Sequence, residues 1–226
     1  FNYQESNFII LELLEGLRKL QNRGRDSYGI LLSSSDNKII IKEEELITIE
    51  KIKEMNLYDL KFNKVLGHSR YSTSYDTIES KNDCSNSHPF AGLNKSLGSF
   101  HLVHNGNINF NSSIKEHYPK LNDTKILVKM IENDEGNTWR ELIGNIIKTI
   151  PGIYNVIITT KDKIIAFKDR YNMRPLCLGK SKYGFCIASE SVALKNYDYL
   201  KEIKGGEIVE ISNMGIKTFN VLENEY

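Results

Sequence analysis

The sequence contains little cysteine, proline and tryptophan, and neither sign of charge is in excess. Its 226 residues include three Cys, four Pro and one Trp. Three cysteines are too few for a disulfide framework, and their odd number favours a reducing compartment. No apolar run approaches the roughly 20 residues of a membrane-spanning helix. Lys and Arg number 30 against 29 Asp and Glu, whereas polyanion binders usually carry a basic excess. Neither a membrane nor nucleic acid is therefore expected as a partner.

The remaining composition is that of an ordinary globular protein. Hydrophobic residues make up 40% of the chain and charged residues 26%, which excludes disorder or a fibre as the main state. No repeat or linker divides the chain, so residues 1–226 are expected to form a single domain. The sequence opens with Phe1 and not with Met, which hides any native targeting signal. The expected location is the cytoplasm, or a virus particle if the Asn-, Ile- and Lys-rich composition reflects a giant virus.

Helical spacing of apolar residues is concentrated in a few segments. The predicted helices run from a cap at Ser6 or Asn7 to about Gln21, over 125–133 and over 138–150. Asp123 and Thr124 are expected to cap the second of these helices, and Gly24 to stop the first. Residues 43–60 are charged and only loosely periodic, and we expect a mixture of loop and helix there.

Strand patterns occur in hairpin-like pairs. The predicted strands are 28–33, 38–42, 65–72, 99–104, 153–160, 163–168, 176–179, 184–188, 207–211 and 215–221. The strand over 99–104 is expected to end at a turn formed by Asn105 and Gly106. Short connections between strands require antiparallel pairing, and apolar sheet faces must be covered by each other or by helices. The sequence therefore predicts a layered α+β fold.

Four segments are more unusual than folding alone requires. They are Leu20–Ile30 with its Asn-Arg-Gly-Arg-Asp run, Gly67–Thr73, Leu102–Ile108, and Asp169–Leu176 followed by Ala188–Ser191. In this order they resemble the class II glutamine amidotransferase domain, an N-terminal-nucleophile hydrolase. Tyr71-Ser72-Thr73 and Arg174-Pro175-Leu176 are most similar to the branch that forms the glutaminase domain of amidophosphoribosyltransferase. The resemblance spans roughly 14–211.

This resemblance implies both an architecture and an activity. The implied fold is a four-layer αββα sandwich of two antiparallel sheets. The implied function is hydrolysis of L-glutamine to glutamate and ammonia through a cysteine thioester, with the ammonia passed to an acceptor site as in purine synthesis. The implied partners are L-glutamine and a phosphoribosyltransferase domain or subunit, which the chain itself does not contain. A homo-oligomer is left open, and no cofactor is implied.

Candidate substrate-binding residues follow from what glutamine presents. Arg70, at a strand end, offers a fork that matches a carboxylate, and by resemblance it binds the glutamine α-carboxylate; alone it would be an ordinary surface arginine. By resemblance Asp123 pairs with the α-ammonium group, although it also suits a helix N-cap. Thr73 is a further hydroxyl contact or a turn residue. Arg23 lines the nucleophile or belongs to a helix stop.

Asn105 and Gly106 are the candidate catalytic pair. Attack on an amide places negative charge on oxygen, and an Asn side-chain N–H with a Gly backbone N–H can form an oxyanion hole. The resemblance implies that role, whereas an isolated Asn-Gly pair is most often a hairpin turn. Asp169, Arg174 and Glu190 are expected to hold loops in place. Cys84 and His88 have the spacing of half a zinc site without a second pair, so no metal is expected.

The resembled family depends on a cysteine at its mature amino terminus. Its thiolate attacks the amide and its free α-amine transfers the proton, and no internal cysteine has such an amine. The family's first strand is absent between Phe1 and the first helix, so the chain as it stands is expected to be inactive. The native protein begins with an upstream cysteine, or it has lost that strand, or a separate segment completes it. The alternative function is a catalytically inactive domain with a structural or interaction role.

Overall fold

The computed structural model describes residues 1–55, 57, 59–71 and 84–222. The chain divides into two units, each built from two stretches of chain. The first unit comprises Phe1–Pro89 and Cys177–Lys201, and the second comprises Phe90–Leu176 and Glu202–Tyr226.

The described residues contain five α-helices and twelve strands. The helices are α1 Phe8–Leu20, α2 Ile49–Glu54, α3 Ser112–His117, α4 Asp123–Asn133 and α5 Trp139–Thr149. The strands are β1 Ser27–Ser33, β2 Lys38–Glu43, β3 Lys64–Arg70, β4 Phe90–Asn94, β5 Gly98–Ile108, β6 Gly152–Thr159, β7 Lys163–Lys168, β8 Cys177–Ser181, β9 Gly184–Ala188, β10 Asp198–Glu202, β11 Glu207–Ser212 and β12 Gly215–Asn220. Short 3₁₀ turns occupy Gln21–Arg23, Cys84–Asn86 and Ser191–Leu194.

The first unit has two three-stranded sheets, ordered β2-β1-β3 and β10-β8-β9. Both strands that flank β1 are antiparallel to it. Helix α1 is amphipathic, and its apolar face packs with alternate side chains of β1 in one core, which includes Ile10, Leu14, Leu17, Tyr28, Ile30 and Leu32. The helical period of α1 and the two-residue period of β1 thus bury one face of each element.

The second unit is built on one six-stranded sheet, ordered β12-β11-β7-β6-β5-β4. All neighbours in it are antiparallel. Helices α4 and α5 supply their apolar sides to the core on one face of this sheet, with Ile126, Leu127, Ile143, Ile147, Leu102, Val156, Ile158 and Phe167 among its members. On the opposite face of the sheet, Asn105 of β5 lies beside Asn155 of β6.

The predicted α+β class with antiparallel sheets is confirmed. The first predicted helix and most predicted strands lie within one or two residues of the observed ones. Strands β4 and β10 and helix α3 are not predicted by the sequence. All three are short; β10 and α3 expose most of their side chains, and β4 alternates buried and exposed positions over only five residues. No described helix has both the length and the apolar character that crossing a bilayer would need.

The predicted cap of α4 is wrong by one residue. Helix α4 begins at Asp123, and Asn122 is its N-cap, with its side-chain oxygen accepting a hydrogen bond from the Lys125 nitrogen at 2.8 Å. Asn is as good an N-cap as Asp, so the sequence signal was ambiguous. The displacement leaves the Asp123 carboxylate available for other contacts.

Replacing Gly16 by alanine should stabilise the protein. Gly16 lies inside α1, and a Cβ there would sit 3.6 Å from the Ala193 Cβ, an ordinary contact. Alanine favours a helix interior over glycine by about 0.5–1 kcal/mol, so Gly16→Ala should raise the free energy of unfolding in urea by that amount. The control is Gly67→Ala in β3, whose Cβ would be 2.6 Å from Leu17 Cδ1 and should destabilise. A loss of stability in Gly16→Ala would contradict the packing of α1.

Candidate functional site

Arg70 is the last residue of β3, as the sequence predicted for a strand end. Its main chain is fixed, because it lies opposite Ser27 of β1 and its carbonyl oxygen accepts a hydrogen bond from the Asp26 nitrogen at 3.0 Å. Its guanidinium is less fully engaged: the Nη1 atom is buried and has no hydrogen-bond partner among the described residues. A buried guanidinium nitrogen without a partner costs free energy, which makes this position suitable for an anionic ligand.

Gly24 places the segment around Arg23 directly against the end of β3. A Cβ on Gly24 would lie 2.5 Å from the Ser69 oxygen and 2.7 Å from the Arg70 carbonyl carbon. Gly24 follows the 3₁₀ turn Gln21–Arg23, and its nitrogen donates to the Gln21 oxygen at 3.2 Å, so the helical segment stops at Gly24 as predicted. Its φ of −164° is ordinary extended backbone. The glycine is required there by close approach of two backbones.

Arg23 forms an ion pair with Glu190, through Nη1 and Oε1. Glu190 also begins the 3₁₀ turn Ser191–Leu194, since its carbonyl oxygen accepts a hydrogen bond from the Ala193 nitrogen at 3.2 Å. The pair therefore ties the end of α1 to the segment after β9, in line with the expectation that Glu190 holds a loop. Thr73, the other residue predicted in this segment, lies outside the described residues.

Asn105 and Gly106 do not form a turn: β5 continues through both, with Asn105 opposite Asn155 and Gly106 opposite Tyr154. The predicted end of this strand at residue 104 is therefore wrong. Gly106 has φ +142°, and a Cβ there would lie 2.0 Å from the Ile153 oxygen. Only glycine permits this backbone. The Asn-Gly pair is typical of a turn in sequence, but its pairing with β6 makes it part of a strand.

The side chain of Asn105 is held by Arg174. Arg174 Nη1 donates to Asn105 Oδ1 at 3.2 Å, and Asn105 Nδ2 makes no hydrogen bond within the described ranges. The loop that carries Arg174 is anchored by Asp169, whose Oδ1 accepts from the Tyr171 nitrogen at 2.6 Å and whose Oδ2 accepts from the Tyr154 nitrogen at 2.8 Å. The expectation that Asp169 holds a loop in place is confirmed.

Asp123 links the start of α4 to the end of β5. Its Oδ2 accepts a hydrogen bond from the Ile108 nitrogen at 3.2 Å, and its Oδ1 accepts one from the Thr124 nitrogen at 2.7 Å. The Thr124 hydroxyl lies 3.0 Å from His104 Nδ1. The main-chain nitrogen that Asp123 binds lies two residues beyond Gly106 along β5, so the predicted ammonium ligand contacts the same strand that carries the predicted oxyanion pair.

His104 is the buried titratable group of this part of the second unit. Burial lowers the pKa of His104 to about 4; Asp123 raises it and Arg174 lowers it, both less strongly than burial. The imidazole is therefore neutral at physiological pH. A neutral ring leaves the charges of Asp123 and Arg174 as the charged groups that act on this stretch of β5.

The described residues contain no cluster of metal ligands, and the Cys186 thiol is not activated. No group of three or more His, Cys, Asp or Glu lies close enough to hold a metal ion. None of the three cysteines, all of them within the described residues, forms a disulfide. Burial raises the pKa of Cys186 to about 11, and a thiol that stays protonated is a poor nucleophile.

Sequence reasoning missed three contributors to this arrangement. It gave Arg174 no contact with Asn105, and it gave no role to Asn155 or to His104. The signal for Asn155 was available: it is a carboxamide inside the otherwise apolar strand Tyr154–Ile158, where an unpaired polar group is costly. Its Nδ2 donates to the Pro175 oxygen at 2.8 Å.

Gly24→Ala should destabilise the first unit. The new methyl group would meet the Ser69 and Arg70 main chain and not a flexible side chain, so the backbone must shift. We expect a loss of about 1–3 kcal/mol in the free energy of unfolding, measured by urea denaturation. Gly16→Ala is the matched control, since it adds the same methyl group in the same unit. Equal stability of Gly24→Ala and the parent protein would contradict the close approach.

His104 should make the protein sensitive to acid. Its folded pKa lies below the usual value of 6.5, so between about pH 6.5 and 4 the unfolded chain binds one more proton than the folded chain. Its contribution to stability is complete above pH 6.5 and falls by about 1.4 kcal/mol per pH unit below it. His104→Asn should remove that slope from the pH dependence of unfolding. An unchanged difference between the two proteins from pH 7 to 4.5 would show that His104 is not buried as a neutral ring.

The chain is similar to known proteins in sequence and in structure. A family model described as "Glutamine amidotransferase domain" matches residues 78–196, just over half of the chain. The amidophosphoribosyltransferase of Methanocaldococcus jannaschii is 28% identical over 224 residues, covering 94% of this chain and 46% of that protein.

Two solved structures are similar over nearly the whole chain. A glutamine phosphoribosylpyrophosphate amidotransferase from Bacillus subtilis, complexed with ADP and GMP, has a TM-score of 0.79 and 28% identity, covering 95% of this chain and 47% of that one. A structure described as the allosteric regulatory enzyme of purine biosynthesis has a TM-score of 0.81 and 27% identity, with the same coverage. The chain thus spans slightly less than half the length of these relatives. It belongs to the glutamine amidotransferase domain family, with the class II N-terminal-nucleophile fold.

Proposed function

We propose that residues 1–226 form one amidotransferase domain that hydrolyses L-glutamine to glutamate and ammonia through a cysteine thioester. The observation that carries the proposal is the state of Asn105. Its side-chain oxygen is occupied by Arg174, its Nδ2 donors are not used by the described residues, and the next residue is Gly106, whose main-chain nitrogen is the proposed second donor. Such paired donors suit an oxygen that becomes negative when an amide is attacked.

The remaining predicted residues take the charged ends of the substrate. Arg70 binds the α-carboxylate, which its buried, unpartnered Nη1 supports. Asp123 binds the α-ammonium group; its carboxylate accepts hydrogen bonds from the Ile108 nitrogen, the Thr124 nitrogen and the Thr124 hydroxyl, and a carboxylate has capacity for more. Thr73 adds a hydroxyl contact, and Arg23, fixed by Glu190, lines the nucleophile.

The proposal assigns the nucleophile to a cysteine upstream of Phe1. The Phe1 nitrogen donates to the Phe185 oxygen at 2.9 Å, and the Phe185 nitrogen donates to the Phe1 oxygen at 2.8 Å. The bridge between Asn2 and Gly184 is antiparallel, so residues preceding Phe1 would continue along β9 towards Ala188. Strand β9 ends two residues before Glu190, the partner of Arg23.

The proposed reaction requires only that cysteine, glutamine and water. Its thiolate attacks the side-chain carbonyl carbon, and the C=O electron pair moves onto the oxygen held by Asn105 and Gly106. The C–N bond then breaks, and the nitrogen leaves as ammonia with a proton from the cysteine α-ammonium group. Water, deprotonated by the freed α-amine, attacks the thioester, the C–S bond breaks, and glutamate is released.

The proposed ammonia acceptor is inferred from the names of the relatives. The relatives are named for transfer to phosphoribosyl pyrophosphate and are about twice as long as this chain. We propose that a phosphoribosyltransferase domain or subunit receives the ammonia, as the relatives' names suggest for purine synthesis.

Glutamate release by the protein with its native amino terminus tests the proposal. Asn105→Ala should lower kcat by about 10²–10³-fold with little change in KM, because the lost donor acts on the transition state. Arg70→Met should lower kcat/KM by roughly 10–100-fold, mainly through KM, because it removes a charged contact with the substrate. The exposed Arg25 supplies the control, and Arg25→Met should leave both constants unchanged.

Two results would overturn the proposal. One is a native sequence with no cysteine ahead of Phe1, which would leave the fold without a nucleophile. The other is no glutamate release from a folded protein whose amino-terminal cysteine is confirmed by intact mass. In either case the domain would be an inactive member of the family.

A further inference from the structure

Asn105 can donate a hydrogen bond to the oxyanion only if the nitrogen end of its carboxamide faces the substrate. The two ends have similar shapes but opposite polarity: the nitrogen donates two hydrogen bonds and the oxygen only accepts. Turned the wrong way, the carboxamide oxygen would repel a developing oxyanion. Something must therefore fix the side chain in one of two nearly isosteric orientations.

Arg174 supplies that choice. A guanidinium has donors and no acceptor, so the carboxamide end that faces Arg174 Nη1, at 3.2 Å, must be the oxygen. The Nδ2 end then points away from Arg174. The positive charge also draws electron density towards Oδ1, which makes the Nδ2–H groups stronger donors.

The position of Arg174 is itself fixed from two directions. On one side, Asp169 accepts hydrogen bonds from the nitrogens of Tyr171 and Asn172, at 2.6 and 3.1 Å. On the other, Asn155 Nδ2 donates to the oxygen of Pro175 at 2.8 Å. Asn155 lies directly opposite Asn105 in the β5–β6 ladder. Asn155 therefore holds the loop that carries Arg174, and Arg174 in turn holds Asn105 on the neighbouring strand.

We propose that Arg174 is a positioning residue for Asn105, and that Asn155 supports it through Pro175. Arg174 does not contact the substrate; it selects the carboxamide orientation that presents Nδ2–H to the oxyanion. This inference rests on the proposed glutaminase function for its kinetic consequence. The orientation itself is a property of the folded protein and does not require turnover.

The kinetic test compares Arg174→Met with Arg170→Met. Both remove a guanidinium from the same loop, but Arg170 donates to the Lys148 oxygen, at 2.6 Å, and not to Asn105. Arg174→Met should lower kcat about 10- to 100-fold and leave KM for glutamine within about twofold, since removing an oxyanion donor outright costs about 10²–10³-fold. Arg170→Met should change neither constant. Arg174→Lys, which keeps a cationic donor, should recover part of kcat.

A double-mutant cycle separates positioning from general damage. If Arg174 acts only through Asn105, then Arg174→Met should cost nothing further in kcat when Asn105 is already alanine. A structural defect would lower kcat by the same factor in both backgrounds. Additive losses, or an unchanged kcat in Arg174→Met, would overturn the inference while leaving the glutaminase proposal intact.

A measurement without turnover covers the case in which the protein does not hydrolyse glutamine. The side-chain amide signals of Asn105 in a ¹⁵N–¹H spectrum can be assigned by their absence in Asn105→Ala. They should shift or broaden in Arg174→Met, because the carboxamide becomes free to turn, and remain unchanged in Arg170→Met. Unchanged signals in Arg174→Met would refute the positioning role whatever the activity of the parent protein, and an inactive parent with shifted signals would refute only the proposed function.

Discussion

The arrangement of the second unit depends on the close approach of β5 and β6 at Gly106. The main chain of Gly106 approaches Ile153 more closely than any residue with a Cβ would allow, and its φ lies where glycine is favoured. The ladder therefore continues past the Asn-Gly pair to Ile108. Continuity places Asn105 opposite Asn155 on one face of the sheet and brings the Ile108 nitrogen to the Asp123 carboxylate.

A second close approach has the same role in the first unit. Gly24 packs on the main chain of Ser69 and Arg70, which joins the end of α1 to the end of β3. The Arg23–Glu190 ion pair adds the segment after β9. In both units, glycine lets backbones meet, and a charged side chain next to the meeting point is thereby fixed in position. This use of glycine differs from its common roles in turns and helix ends.

The electrostatics of the second unit are simple because His104 is neutral. Burial outweighs the attraction of Asp123 and keeps the proton off the ring. The Asp123 carboxylate and the Arg174 guanidinium then remain as separate charges, each engaged by its own hydrogen bonds with β5 or with Asn105.

The sequence by itself determined the α+β class, most of the strands, the family, and the identity of the charged and amide groups, because periodicity and residue chemistry are local properties. It also indicated that Asp169 and Glu190 hold loops. It could not distinguish a turn from a strand at Asn105–Gly106, because that dipeptide suits both conformations. Nor could it show that Gly24 lies against the Ser69 and Arg70 main chain, because a helix stop alone would explain a glycine there. Those choices were decided by neighbours far away in sequence: Ile153 beside Gly106, Ser69 beside Gly24, and Arg174 beside Asn105. Only the tertiary structure brings such pairs together, and only contact fixes which way a carboxamide points.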